Sequence, residues 1–345
     1  ISLRQGPAEA SDGNEAMVLA AIADAWGMPV ADGTTVTCNG SDDPAKTSQG
    51  MARFYLKDGA RTKEVSVQCG SIQGSLALTK GKGFKTVRVR SAASNGNVSS
   101  VLVETSDKLV AIGTPEGWAA VSKDVTSCVV RAPGYEALNT TLSKAHTNLT
   151  LQPAEGGALI GKRIALDPAY GGRVPGAVGP SGVRACDINL DIAQRAAALL
   201  KQAGAEVTLT RDNDEEMSDL QRVTRAEHAK AEAYVCVSAG PFRDKCDEKD
   251  AASPLGRSAF AGHYPKSENG TRMAEALSGK LDGVPVGTSG ALVIQQTSCP
   301  SVFLQIGNIE DPATEEKFRA AAERQKVAQG LYQGLLEYVK NTKAK

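Results

Sequence analysis

The chain is poor in the residues that bind transition metals and stack on sugars. Its 345 residues include three histidines, His146, His228 and His263. There is no C-x-x-C pair and no mixed His/Cys cluster, which excludes the common structural zinc sites. Aromatic residues make up 4% of the chain, which argues against an aromatic groove that stacks carbohydrate. No excess of one charge exists, with 39 Lys and Arg against 39 Asp and Glu. Such balance leaves no electrostatic footprint for nucleic acid or an acidic membrane. No apolar run approaches the ~18 residues of a membrane span, and no secretory leader is visible.

Small residues, turns and short alternating runs are plentiful, with 35 glycines. Seven cysteines are compatible with an oxidising compartment, and their odd number leaves a thiol over unless a second chain pairs with it. Ile1 already lies in what reads as a first strand. The expectation is a mature or trimmed product that is exported, to the periplasm or the cell surface.

Three segments differ in rhythm. Residues 1–106 alternate apolar and polar positions in runs such as AMVLAA, GTTVTC, KEVSVQC and KTVRVR, broken by Gly, Asn, Asp and Ser. This spacing predicts an antiparallel sandwich. The stretch ADAWGMPVADGTTVTC resembles the D-x-x-G-N-P-V-x-D-G-T-x-V-T-F signature of bacterial Ig-like domains of the invasin/intimin type. Asp24, Gly27, Pro29, Val30, Asp32, Gly33, Thr34 and Val36 carry the likeness. Residues 107–154 form a short β-rich block with Gly134 and Tyr135 at the Gly-Tyr position of small PEGA or carboxypeptidase-regulatory modules, which it resembles. So short a block has a thin core and should lean on a neighbour. PAEGGALIGK reads as the linker into residues 155–345. There strands and helices alternate, which predicts a mostly parallel sheet flanked by helices. The expected strands are KRIALDP, EVTLTR, AYVCVSAG, ALVIQQ and SVFLQIG. TEEKFRAAAERQKVAQGLYQGLLEYVKNT reads as a final helical stretch. Cys38 and Cys69 each close a strand of the first module and are a candidate disulfide. Cys186 and Cys246 fall on loops at the same end of the last domain.

The run from Ile164, IALDPAYGGRVPGAVGPSGVRACDINLDIA, resembles the opening of the bacterial zinc N-acetylmuramoyl-L-alanine amidases. That family has a DPGHGG-like turn and an E-K-D-x-N-L-like segment. Later stretches resemble its LTR, its L-x-x-R (with Arg211 and Arg222), its S-I-H-A-N strand end and its P-A-V-L-V-E-L-G strand. The likeness covers roughly residues 158–340. It implies a zinc held by two His and a Glu, with a second, catalytic Glu. Tyr170, Ala185, Gly240 and Gln305 stand at those four positions.

A catalytic zinc needs about three His, Asp, Glu or Cys ligands and one open position for water. A phenol titrates near ~10 and is a poor ligand at neutral pH. Ala185 and Gly240 have no ligand atom, and the Gln305 amide cannot act as a general base. No cofactor and no metal are therefore expected, and no zinc hydrolysis. The reading is a pseudoenzyme of the cell envelope. Its partners would be other surface proteins, a second copy through the Ig-like module, or peptidoglycan. The rival is a peptidoglycan amidase with an unorthodox metal site. Asp167, Tyr170, Asp187, Arg222 and Gln305 are the expected pocket residues, since ligands in such sheets sit beyond the carboxyl ends of strands. For Asp167 and Asp187 a turn-holding role outweighs an alternative metal site. Tyr170 either plugs the emptied centre or stacks on a sugar. Tyr170→His, Ala185→Glu and Gly240→His together should recover zinc binding if the backbone is preserved.

Overall fold

In–out alternation shapes the N-terminal half. Val36 and Cys38, Val65 and Val67, and Cys128 and Val130 are buried while their neighbours are partly or fully exposed, the period-two signature of a half-buried strand. The computed structural model describes residues 1–6, 16–25, 28–31, 33–47, 50–56, 64–78, 84–93, 95–98, 101–105, 110–112, 117–122, 124–154, 157–240 and 259–343. The chain divides into two units, Ile1–Ala154 and Glu155–Lys345.

The first unit opens with β1 (Ser2–Gly6), β2 (Ala16–Ala21), β3 (Thr35–Cys38), β4 (Ala45–Lys46), β5 (Met51–Leu56), β6 (Glu64–Cys69) and β7 (Ile72–Ala77). They form two sheets, ordered β1-β2-β5 and β4-β3-β6-β7. Both sheets contribute to one core around Val18, Val36, Phe54 and Val67. Within the motif between Asp24 and Val36, the Asp24 carboxylate accepts from the Met28 amide at 2.9 Å. Gly27 and Asp32 of that motif lie outside the described residues.

A second body follows: β8 (Phe84–Ser91), β9 (Leu102–Thr105), β10 (Val110–Ile112), β11 (Trp118–Ser122), β12 (Ser127–Arg131), β13 (Leu138–Thr141) and β14 (His146–Leu151). Its sheets, β10-β9-β12-β13 and β11-β8-β14, close on Val87, Val103, Val121, Val130 and Leu149. The boundary expected at residue 106 is therefore misplaced. β8 and β9, assigned to the first module, pair with β11, β14 and β12. A strand's own alternation does not reveal which later strand it will join. The β8–β14 ladder is also parallel, a departure from the antiparallel expectation.

Cys38 and Cys69 are both free thiols. The register sets Cys38 opposite Val67 and ends with Thr37 opposite Gln68, so the two cysteines are diagonal neighbours across β3 and β6. Diagonal neighbours lie ~7–8 Å apart, whereas a disulfide requires Cβ atoms ~3.5–4.5 Å apart. The strand ends were visible in the sequence; the register was not.

The second unit contains β15 (Arg163–Pro168), α1 (Ala185–Gln202), β16 (Glu206–Leu209), α2 (Asp219–His228), β17 (Ala233–Ser238), β18 (Phe260–His263), α3 (Glu268–Ser278), β19 (Val286–Thr288), α4 (Leu292–Gln295), β20 (Ser301–Gln305), α5 (Pro312–Arg319) and α6 (Ala321–Lys343). The sheet order is β16-β15-β17-β20-β18-β19. Its ladders are parallel except β18 against β20, so the sheet is mixed. On one face Val223 and Ala226 of α2 and Val293 and Ile294 of α4 pack on Ala165, Tyr234, Cys236 and Phe303. Helices α1 and α3 both pack on α6.

Two sequence expectations fail here. ALVIQQ, expected as a strand, forms α4; a short continuous apolar run has no period that separates strand from helix. The final helical stretch breaks at Ala320, whose backbone is extended. The buried Arg324 guanidinium bridges the break, donating to the carbonyls of Phe318 at 2.6 Å and Arg319 at 2.8 Å and to Asp191 at 2.5 Å. Among the described residues no helix is long and apolar enough to cross a membrane.

Candidate functional site

Strand β15 delivers a buried carboxylate to the end of the sheet. Asp167 is fully buried and accepts hydrogen bonds from Tyr234 Oη at 2.6 Å, Arg222 Nη1 at 2.7 Å and the Thr210 hydroxyl. Burial pushes its pKa up, but the Arg222 charge and the three donors outweigh burial and hold the carboxyl below the usual carboxylate range.

Two buried arginines then fix the turn that follows. Arg222 donates to the carbonyls of Pro168 at 2.9 Å and Tyr170 at 2.7 Å. Arg211 donates to those of Pro168 at 2.8 Å, Ala169 at 3.2 Å and Cys186 at 2.8 Å. Asn189 on α1 joins two strand ends: its amide donates to Ala169 O at 3.1 Å and its carbonyl accepts from Ala239 N at 2.8 Å. So held, Tyr170 adopts φ +66°, a left-handed conformation rare for an aromatic residue.

The Tyr170 ring lies against Gly176. A Cβ built on Gly176, itself at φ +74°, would stand 2.3 Å from the ring. Gly176→Ala is therefore expected to lower unfolding free energy by about 1–3 kcal/mol through overpacking and the left-handed backbone. Urea unfolding measures this, and a change within ~0.5 kcal/mol, the range of a neutral surface substitution, would show that the ring yields freely.

The loop carrying Gly176 is tied down at both ends of its span. Helix α1 has no side-chain N-cap, and its first amides, of Ala185 and Cys186, donate instead to the carbonyls of Ala177 at 2.8 Å and Pro175 at 3.0 Å. Further along, the buried Glu315 accepts from the Ser181 amide at 3.0 Å and hydroxyl at 2.7 Å.

Of the four positions at which the sequence resemblance expects metal and catalysis, Tyr170, Ala185 and Gly240 border this loop, and Gln305 ends β20 opposite Ser238. Ala185 and Gln305 are fully buried. Gly240 follows β17, and a Cβ there would meet that of Ala177 at 2.9 Å. Tyr170 is half-buried. Together the four offer one phenol and one carboxamide, with no imidazole, carboxylate or thiolate. That donor set does not fit a zinc centre.

The expected pocket residues separate. Asp167, Tyr170 and Arg222 line a cleft of about 480 Å³ on the α2–α4 side of the sheet, with Met217, Asp219, Leu292, Val293 and Phe303. Gln305 does not line it. Asp187 lies elsewhere too, within a grouping of Cys186, Asp187 and Asp214. Arg184 supplies the cation of that grouping, 2.6 Å from Asp187 and 3.0 Å from Asp214. Burial, reinforced by Asp187, pushes the Cys186 thiol up to about 12. Cys246, expected near Cys186, lies outside the described residues. Among the lining residues missed in the sequence are Val174, Met217, Asp219, Leu292, Val293 and Phe303. Only Asp219 leaves a local trace, in the capping box formed by Ser218 and Gln221.

Comparison with known proteins matches this unit. Residues 164–337 fit the family model described as N-acetylmuramoyl-L-alanine amidase. The chain is 29% identical over 186 residues to N-acetylmuramoyl-L-alanine amidase LytC of Bacillus subtilis (strain 168), covering 52% of this chain and 36% of that protein. It is 28% identical over 204 residues to the probable cell wall amidase LytH of Staphylococcus epidermidis, covering 56% of this chain and 65% of that protein. It thus spans less than two thirds of each of these relatives. Among solved structures, the catalytic domain of CwlV, an N-acetylmuramoyl-L-alanine amidase from Bacillus (Paenibacillus) polymyxa var. colistinus, is 25% identical with a TM-score of 0.45, covering 51% of this chain and 97% of that one. Through residues 164–337 the chain belongs to the N-acetylmuramoyl-L-alanine amidase family.

Proposed function

We propose that this chain is a non-catalytic member of its family, an exported bacterial protein of the periplasm or cell surface. Its α/β unit binds a partner protein or peptidoglycan, or serves as a building block of an envelope assembly. The observation that carries the reading is the donor set at Tyr170, Ala185, Gly240 and Gln305. A water-activating zinc needs about three ligands from His, Asp, Glu or Cys, and these positions supply none. The packing supports it as well, since Ala177 stands where a side chain at position 240 would have to go. Export draws support from relatives named as cell wall amidases.

The first β body reads as an Ig-like spacer module. Support comes from its two sheets, β1-β2-β5 and β4-β3-β6-β7, around one core, and from the Asp24–Val36 motif. The rival reading, a peptidoglycan amidase with an unorthodox metal site, rests on relatives named as amidases. Zinc content separates the two. The purified full chain, dialysed against zinc and washed, is expected to hold far less than one zinc per chain by plasma mass spectrometry; about one zinc per chain would favour the enzyme.

A further inference from the structure

The cleft beside Tyr170 combines apolar walls with a single unbalanced charge. Tyr170, Val174, Met217, Leu292, Val293 and Phe303 supply its apolar lining. Its charges cancel with one exception. Asp167 pairs with Arg222 at 2.7 Å and Glu216 with Arg173 at 2.7 Å. Asp219, also in the lining, makes no hydrogen bond or close ion pair among the described residues; the positive charge acting on it is that of Arg222, which is already bonded to Asp167. The cleft therefore carries a net negative charge above apolar walls. Of the lining residues, Val174 is 47% and Leu292 46% exposed, and Leu220, next to Asp219 on α2, is 66% exposed.

We infer that this cleft receives a lysine side chain presented by a partner polypeptide, its methylenes against Met217, Leu292 and Val293 and its ammonium beside Asp219. Each part of the ligand answers a feature of the site. A long aliphatic stem removes apolar surface from water. An ammonium complements the one carboxylate of the cleft that no side chain bonds directly, whereas an anion would be repelled by it. The exposed Val174, Leu220 and Leu292 give the chain that bears the lysine a surface to lie on, which a free diamine would not use. The inference deepens the binding reading above and rests on it, naming the chemistry of the partner. The cleft lies on the α2–α4 side and shares only Tyr170 with the four metal and catalytic positions, without Ala185, Gly240 or Gln305; the test below reads methyl shifts and lysine selectivity, which zinc content does not report.

The test is a methyl NMR titration of the full chain with Nα-acetyl-lysine N-methylamide, the matching norleucine amide, and cadaverine. The lysine probe is expected to shift methyl signals of Met217, Leu292 and Val293. It should bind about threefold to fivefold more tightly than the norleucine probe, the range of a partly exposed ion pair. Asp219→Asn should erase that difference and leave norleucine binding unchanged, which also shows that the variant is folded. Equal affinities in the parent chain, shifts confined to other methyls, or no shift at all would overturn the inference. Tighter binding of cadaverine than of the blocked lysine would assign the cleft to free diamines and overturn the polypeptide partner. Failure here with zinc still absent would leave the non-catalytic reading standing; zinc uptake with lysine selectivity intact would do the reverse.

Discussion

Asp167→Ala is expected to lower the unfolding free energy of the α/β unit by about 3–5 kcal/mol, the cost of breaking a buried ion pair by removing one partner. The substitution leaves Arg222, 3% exposed, without its counter-charge, and leaves the hydroxyls of Tyr234 and Thr210 without their acceptor. Because Arg222 also holds the carbonyls of Pro168 and Tyr170, the turn after β15 should loosen with it. Replacing both partners, as Asp167→Leu with Arg222→Met, should cost less than Asp167→Ala alone, since no orphaned charge remains. Urea unfolding followed by circular dichroism measures both variants. A loss under ~1 kcal/mol for Asp167→Ala, the worth of an exposed pair, would show the pair to be structurally idle.

The same carboxylate gives a pH dependence whose sign is fixed. Its folded pKa lies below the unfolded value of ~3.9. The unfolded chain therefore binds the proton first as pH falls. The stabilisation is complete above the unfolded value and is lost as pH drops through the folded one. Asp167→Ala should flatten the acid side of the stability profile.

The second large effect concerns restoring zinc. From the sequence, Tyr170→His, Ala185→Glu and Gly240→His together should recover a metal site. The structure revises that expectation. A Cβ at position 240 comes within 2.9 Å of the Ala177 Cβ, and Ala177 is anchored through its carbonyl to the first amide of α1. Forcing the loop aside should cost about 1–3 kcal/mol, or roughly fivefold to 150-fold in zinc affinity. The triple variant should thus bind zinc weakly, and adding Ala177→Gly should recover much of the loss. Calorimetric titration of both decides it; equal affinities would mean that the loop is no obstacle.

Legibility in the sequence followed the range of the interaction that sets each feature. Helix α1 is readable because Ile188, Ile192, Ala196 and Leu199 recur at helical spacing and are all buried. Strand β15 is readable as an apolar run that ends in a turn motif. β18 is not: Phe260–His263 is four residues long with a central glycine, and it is held by its antiparallel register with β20. Arg211 and Arg222 stand out in the sequence pattern. Their task, clamping carbonyls more than 40 residues away, has no local trace. The candidate site divided along the same line. Asp167, Tyr170 and Arg222 were expected in a pocket and line one; Gln305 is buried outside it and Asp187 pairs with Arg184. Leu292, Val293 and Phe303, half of the larger apolar residues in the lining, come from α4 and β20, brought there by the fold.

On the non-catalytic reading proposed above, this amidase-family chain does not cut the amide bond its family is named for. The direct measurement is release of peptide from purified muropeptides by the full chain at neutral pH with zinc supplied, followed by mass spectrometry beside a mock preparation. The account predicts release no faster than in the mock. Release that depends on the added chain and stops with a zinc chelator would contradict it.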